Sequence, residues 1–286
     1  MFRLHCTCEF RYYPLNIPFS FLLNPFGLIG WEWGHWHPAC HLSFEVLGYI
    51  TSFNIYKHQP IPDILPPTDR KKLKWWTLGG AIIGAKLVPF FETFLSVGFS
   101  ALLSGKSLAG GLLGGIIGSE LGKWKLKFAS ASTGDVLVYP LLWGSLVGRL
   151  GCSCSAVIDG MVGVPLPTSW QALAPYWGVL VVNTETPQHL SSQVITLLNL
   201  NQGWAWNIAS VEIGGLLLIA GGLAVLKHRH PLKTGQLFYS FCLGYFALRL
   251  VLDELKQALP TLTVVQIISI LGMLWSVYQL GFKRNK

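Results

Sequence analysis

Charge is what this sequence has least of. Only 12% of its 286 residues are Asp, Glu, Lys or Arg, where a soluble domain carries roughly a quarter. That leaves too little polar surface to cover a water-soluble globule, and the hydrophobic share of 51% points the same way. Mean hydropathy is +0.47. Acids are scarcer than bases, 13 against 21, so the formal net charge is +8. Histidine is missing from zinc-finger distance of the two Cys-x-Cys pairs, Cys6 with Cys8 and Cys152 with Cys154; Cys40 and Cys242 stand alone. A metal site is therefore not expected, and neither is a cofactor. A clean signal-peptide core is missing too: the first apolar stretch is interrupted by Pro18, Asn24 and Pro25 and has no basic start, so a cleavable leader is not expected. No internal repeat is visible, which weighs against a transporter of two-fold inverted design.

What the sequence does have is seven apolar segments of spanning length. They are Pro38–Tyr56, Trp76–Leu103, Ser107–Gly122, Asp135–Gly151, Ile208–Leu226, Gln236–Leu255 and Val264–Phe282. The expected fold is an all-α integral membrane protein, a bundle of about seven transmembrane helices occupying residues 38–286. Residues 1–37 precede it as an extracytoplasmic or interfacial segment, with the Trp-rich stretch Phe19–Trp33 lying on the membrane surface. Pro89 marks a kink in the second span. The third is rich in glycine: Gly110, Gly114 and Gly118 recur at small-xxx-small spacing, which permits close helix contact in lipid.

Basic residues fall in alternate loops. One side takes Lys57, Arg70, Lys71, Lys72 and Lys74, then Lys123, Lys125 and Lys127, then Lys227, Arg229 and Lys233, then Lys283, Arg284 and Lys286. The other has only Arg3, Arg11, Lys106 and Lys256. Such asymmetry reads as membrane orientation rather than as a nucleic-acid-binding face, so no nucleic-acid partner is expected. It puts the N-terminus outside and the C-terminus in the cytoplasm of a bacterial inner membrane, as an odd number of spans requires. Residues 153–207 then face outward. They contain no Lys or Arg, and their only acids are Asp159 and Glu185. A connection of this length is expected to fold as an extracytoplasmic cap, with a short helix at Ala172–Val182.

Several ionisable residues fall inside the spans: Glu45, Lys86, Glu92, Glu120, Arg149, Glu212, Arg249 and Asp253. Charges in lipid are costly and face a bundle interior or a wet cavity. Some can simply pair and lock helices together, a reading that suits Glu92 and Glu120 near span ends. Arg149 and Arg249 suit a ligand better, because a guanidinium stays charged and matches phosphate oxygens with two parallel donors. Arg249 and Asp253 are four residues apart and share a helix face. Arg149 lies between Gly148 and Gly151, whose bare backbone permits close approach of a ligand.

The order of these motifs resembles the prolipoprotein diacylglyceryl transferase family. Ala109, Gly110 and Gly111 stand where the family has a His-Gly-Gly run. Gly148, Arg149, Leu150, Gly151 and Cys152 resemble its Gly-Arg-x-Gly signature, with Cys152 where many members have Asn. Asp159 and Gly160, then Gly163–Pro165 and Pro167–Trp170, resemble the following loop. Val211 and Glu212 resemble the end of a His-Pro-x-Gln-Leu-Tyr-Glu motif. Gly235, Gln236, Tyr245, Arg249 and Asp253 resemble the span with an arginine and a carboxylate four residues later; Val265, Gln266 and Ser269 resemble a final Gln-x-x-Ser motif. The resemblance runs from about Gly84 to the C-terminus.

It implies transfer of the diacylglyceryl group from phosphatidylglycerol to the lipobox cysteine of a prolipoprotein signal peptide, with membrane lipid as the surrounding partner. It also implies that Arg149 binds the lipid head group and Arg249 the phosphate, as the catalytic pair. Glu212 and Asp253 orient them, and the backbone at Gly110, Gly111, Gly148 and Gly151 contacts substrate. The chain departs from the pattern at Ala109, which replaces the histidine, and at Lys86, where the family often has Arg. Three readings stay open: His35, His37 or His41 accepts the proton; the arginines alone acidify the thiol; or the chain is a divergent paralogue that binds phospholipid with altered or no catalysis.

Overall fold

The computed structural model describes residues 38–59, 66–97, 99, 106–127, 133–156, 161–183, 203–229, 231–256 and 263–282. The expectations for Phe19–Trp33, His35, His37, Asp159, Gly160 and Glu185 lie outside them. The described residues are mostly helical. Seven helices of 17 to 31 residues fall on the seven expected segments. They are α1 (Pro38–His58), α2 (Pro67–Val97), α3 (Leu108–Lys125), α4 (Val138–Cys154), α5 (Ile208–Arg229), α6 (Gln236–Leu255) and α7 (Val264–Phe282).

Among the described residues, three stretches are long and apolar enough to cross a membrane: Asp135–Cys154, Ile208–Arg229 and Val264–Gly281. The other helices carry Glu45 in α1, Lys86 and Glu92 in α2, Glu120 in α3, and Arg249, Asp253 and Glu254 in α6, much as α4 carries Arg149 and α5 Glu212. Large apolar side chains stand exposed along most of these helices, Leu218 at 79% and Phe53 at 66% among them. In water such surface would drive aggregation; facing acyl chains, it costs nothing. The protein is a membrane protein.

Helix α2 begins nine residues before the expected Trp76. Pro67 suits a first helical position, where its missing N–H would be unpaired anyway, and Asp69 favours the positive end of the helix dipole. Lys71, Lys72 and Lys74 oppose that dipole, and the hydropathy of Pro67–Trp75 is low, so the segment reads as loop. At 31 residues α2 is roughly 46 Å long, more than the ~30 Å hydrocarbon core.

By internal contacts the chain divides into two compact units. One comprises Met1–Leu47 with Val147–Ile213, the other Gly48–Leu146 with Gly214–Lys286. The boundaries fall inside α1, α4 and α5.

The second unit is the helical one. Its buried core includes Val88, Ala109, Leu142, Leu216, Phe241 and Phe246. Helices α2 and α3 pack backbone to backbone. A Cβ on Gly84 would lie 2.2 Å from the Gly110 carbonyl oxygen, one on Gly80 2.3 Å from that of Gly114, and one on Gly118 2.3 Å from that of Trp76. The order of these pairs makes the helices antiparallel. Ser107 closes the turn between them: its N–H donates to the Ala85 carbonyl at 3.0 Å, and its hydroxyl accepts from Gly110 N at 3.2 Å. Helices α6 and α7 meet where the Phe246 ring covers Gly272.

The start of α6 is capped from a distance. Asp135 accepts from Gly235 N at 2.5 Å and Phe238 N at 2.9 Å, so a carboxylate sits on the donors of the first turn. Gly235 itself has φ +93°, a conformation that favours glycine. Asp135→Ala is expected to lower stability by about 1–2 kcal/mol, read as an earlier thermal midpoint in detergent without loss of helix content.

The first unit holds the described part of residues 153–207. These carry a three-stranded antiparallel sheet of order β1-β3-β2, with β1 (Val162–Pro165), β2 (Val181–Asn183) and β3 (Trp204–Asn207). The expected helix at Ala172–Val182 is a 3₁₀ stretch, Ala174–Leu180, that runs directly into β2. Gln171 ties this stretch to β3. Its amide nitrogen donates to the carbonyls of Leu166 at 2.7 Å and Trp204 at 3.2 Å, and its oxygen accepts from Trp204 N at 2.9 Å. The rings of Trp170, Trp177 and Trp206 pack in series beside it, with centroids 5.2 and 5.3 Å apart.

Candidate functional site

In the first unit, the end of α4 meets the start of α5 around buried polar groups. Asn207 is the residue before α5, and its Oδ1 accepts from Ser210 N at 3.2 Å, an N-cap. Its Nδ2 donates to the Ser153 carbonyl at 3.0 Å, and the Ser153 and Ser210 hydroxyls bond each other. One amide thus fixes the first turn of α5 against the last turn of α4.

That clamp places Glu212 and Arg149. Arg149 Nε donates to Glu212 Oε2 at 2.9 Å; the Glu212 side chain is 1% exposed and that of Arg149 14%. A buried ion pair of this kind carries a large desolvation cost and is weak evidence for stability by itself. Its presence therefore points towards function. Arg149 Nη1 also lies 3.6 Å from Cys152 Sγ.

The glycines around Arg149 differ in surroundings. Among the described residues, a Cβ on Gly148 would meet nothing within 4 Å, whereas one on Gly151 would lie 2.7 Å from Phe44 Cβ and 3.0 Å from the His41 carbonyl oxygen. Gly148 leaves open space; Gly151 admits α1. His41 Nε2 in turn lies 3.9 Å from Glu45 Oε2, one helical turn on.

Arg249 and Asp253 belong to the second unit, where both are buried on α6. The structure does not give Asp253 the arginine partner expected from their spacing. Its Oδ2 accepts from the Thr263 hydroxyl at 2.6 Å instead. Thr263 and Gln266 form a reciprocal capping box at the start of α7: Gln266 N donates to Thr263 Oγ1 at 3.1 Å, and Thr263 N to Gln266 Oε1 at 3.2 Å. Gln266 Nε2 also donates to Glu254 at 3.0 Å. Glu92 of α2 bonds the Val265 backbone and feels the charges of Lys256, Asp253 and Arg249. Ser269 Oγ, one turn beyond Val265, is fully buried with no hydrogen-bond partner among the described residues. Such an unmet hydroxyl costs about 1–3 kcal/mol.

Two expected site residues sit in packing positions. Gly110 faces Gly84, and a Cβ on Gly111 would lie 3.5 Å from Ala85 Cβ. Ala109 is fully buried in the apolar core of the second unit. Glu120 pairs with Lys123 one turn on in the same helix, α3, so this contact does not lock one helix to another. Residues that sequence reasoning missed are Asn207, Ser153, Ser210 and Thr263. Asn207 before an apolar run and Thr263 three residues before Gln266 are cap signals; nothing local marks the two serines.

The family model described as prolipoprotein diacylglyceryl transferase matches residues 35–281, nearly the whole chain. The chain belongs to this family. No curated protein matches the chain. The prolipoprotein diacylglyceryl transferase match extends well upstream of Gly84, across all of α1 and α2, and so takes in His41 as well as Arg149, Glu212, Arg249 and Asp253. The family is one of transferases in lipoprotein biosynthesis, acting on a prolipoprotein with a lipid donor.

Proposed function

We propose that the chain transfers the diacylglyceryl group of phosphatidylglycerol to the lipobox cysteine of a prolipoprotein. The observation that carries this reading is the buried Arg149–Glu212 pair, held on the motif that the family match covers. In the reaction the cysteine sulfur forms a bond to the glyceryl carbon. The carbon–oxygen bond to phosphate breaks, glycerol phosphate leaves with the electron pair, and the thiol proton passes to a base.

Each residue's part follows from its chemistry. Glu212 fixes the plane of the Arg149 guanidinium, and that guanidinium binds the phosphate of the head group. Gly148 gives the head group room. For Arg249, in the second unit, the role is the one the family resemblance implies: binding the phosphate, where a cation offsets developing charge. Asp253, held by Thr263, sets the electrostatics around Arg249. Gly110 and Gly111 act on the substrate only through the helix position they permit. The seven helices span a bacterial inner membrane with the N-terminus outside and residues 153–207 as the outer cap.

His41 takes the thiol proton in this scheme. It backs onto Gly151, and Glu45 stands ready to stabilise its charged form. A positioned base contributes about 10²–10⁴-fold. His41→Gln is expected to slow transfer by at least the lower figure at neutral pH. Raising the pH towards ~8.5, where a free thiol ionises unaided, should recover most of that loss. A flat rate at all pH values in His41→Gln would remove the residue from the reaction.

The whole reading is tested by complementation. Cells depleted of their own transferase should resume lipoprotein maturation when this chain is expressed. Accumulation of unmodified prolipoproteins despite membrane insertion would overturn it. Ala109 in the apolar core favours one second reading, a phospholipid-binding paralogue with altered or no catalysis, and that outcome would then stand.

A further inference from the structure

The contact of bare backbone between α2 and α3 has a side effect on the surface of the second unit. Glycines leave a floor without side chains, and Ile83, Leu87, Leu113, Ile117 and Leu121 stand along it as walls. The result is a groove of about 890 Å³. It runs from Lys72 to Phe91 on α2 and is bounded near Phe91 and Val88 by Val264 and Ile268 of α7. Nineteen residues of helix measure roughly 28 Å, while one leaflet supplies about half of the ~30 Å hydrocarbon core. An acyl chain entering from either end therefore fits within it.

The two ends are chemically different. The lining is apolar everywhere except at Lys72. Around that ammonium the first turns of α2 carry Asp69, Arg70, Lys71 and Lys74, four bases and one acid with Lys72 included. Lys72 Nζ lies 3.3 Å from Asp69, but both are solvent-accessible, and Lys74 sits over the Tyr56 ring at 4.9 Å. An exposed pair of this kind binds weakly and leaves the cluster net positive. Trp75, 71% exposed, and Trp124, 72% exposed, flank the same end; indole rings at this density mark the level of lipid head groups. Of the residues expected to act on substrate, Gly110 lines the groove as part of its floor, and Arg149, Glu212, Arg249 and Asp253 are not in its lining.

We propose that this groove is a binding site for an anionic phospholipid, with an acyl chain along the α2–α3 floor and the head-group phosphate at Lys72. Apolar length alone would accept any lipid. The basic end selects negative charge, because each Lys or Arg near a membrane surface attracts anionic head groups. The site is independent of the transfer reaction and would hold its lipid in a catalytically dead variant.

The test uses the full chain reconstituted in phosphatidylcholine vesicles. A minor component carries a photoactivatable group near the end of one acyl chain, on phosphatidylserine in one sample and on phosphatidylcholine in the other. Phosphatidylserine is chosen so that donor turnover does not enter the readout. The phosphatidylserine probe is expected to label Ile83, Leu87, Leu113 and Ile117 several-fold more than the phosphatidylcholine probe. Lys72→Glu should erase that preference. Ile83→Trp, a change at a lipid-facing position, should block labelling of the floor while leaving Lys72 intact. Equal labelling by both probes would reduce the groove to bulk lipid contact and overturn the proposal. So would absence of labelling at Ile83, Leu87, Leu113 and Ile117 by the phosphatidylserine probe.

Discussion

Arg149→Ala is expected to abolish transfer and, separately, to destabilise the protein. The two effects have different origins. Glu212 is 1% exposed and its Oε2 accepts from Arg149 Nε at 2.9 Å, so removing the guanidinium leaves a carboxylate buried without its cation. Breaking one side of such a pair costs about 3–5 kcal/mol. Pairing the change with Glu212→Gln removes the orphaned charge, and most of that stability should return. Activity should not return, because the donors for the head group are still gone. Arg149→Lys tests geometry against charge. Lysine keeps the positive charge but lacks the planar fork, and it forfeits the contact now made at Cys152 Sγ. A loss of about 10²-fold or more is expected, the scale seen for a misplaced oxyanion donor. Thermal unfolding in detergent and turnover of a lipobox peptide, measured on the three variants, separate these terms. If the double variant regains both stability and turnover, Arg149 is structural.

Gly114→Leu is expected to prevent stable assembly of the helical unit, and Gly84→Leu to do the same. A single Cβ on either glycine would lie 2.2 Å from a carbonyl oxygen on the facing helix. No rotamer relieves a clash between backbone and Cβ; α2 and α3 must separate. Overpacking in a filled interior costs about 1–3 kcal/mol and occasionally more, and here the whole antiparallel seam from Trp76 to Gly84 would open. Gly79→Ala is the matched control, since a Cβ there meets nothing within 4 Å. On helix propensity alone it should gain up to about 1 kcal/mol. Cysteines placed on α2 and α3 should cross-link in the control and fail to do so in Gly114→Leu. Retained cross-linking in Gly114→Leu would mean that the seam tolerates a side chain.

The helices were legible because lipid imposes one rule on every span: about 20 apolar residues in sequence. That rule located the seven, and it misplaced one start, at Pro67, where Lys71, Lys72 and Lys74 lower the hydropathy of a helix that continues past the apolar stretch. The glycine spacing of α3 announced a close helix contact, and α2 supplies it with Gly80 and Gly84. The sheet of residues 153–207 was not legible. Its strands are three or four residues long, too short for alternation to register, and β3 pairs with partners more than twenty residues away.

The site was half legible. Arg149 and Glu212 stood out as charges inside apolar runs, and their pairing across 63 residues follows from the Asn207 clamp, in which Ser153 and Ser210 meet from 57 residues apart. Helical spacing suggested Arg249 as the partner of Asp253, but a threonine on the next helix reaches it first. Spacing along one helix says which residues share a face. It does not say which neighbour arrives from outside.

The central claim is transfer itself, and intact-mass measurement of the acceptor tests it most directly. A lipobox peptide incubated with the reconstituted protein and phosphatidylglycerol deuterated in its diacyl-bearing glyceryl group should gain the mass of one diacylglyceryl unit, with the deuterium retained and attached through sulfur. Substituting serine for the peptide's cysteine should leave its mass unchanged. A cysteine peptide that stays unmodified, while the protein is folded in the vesicles, would contradict the account.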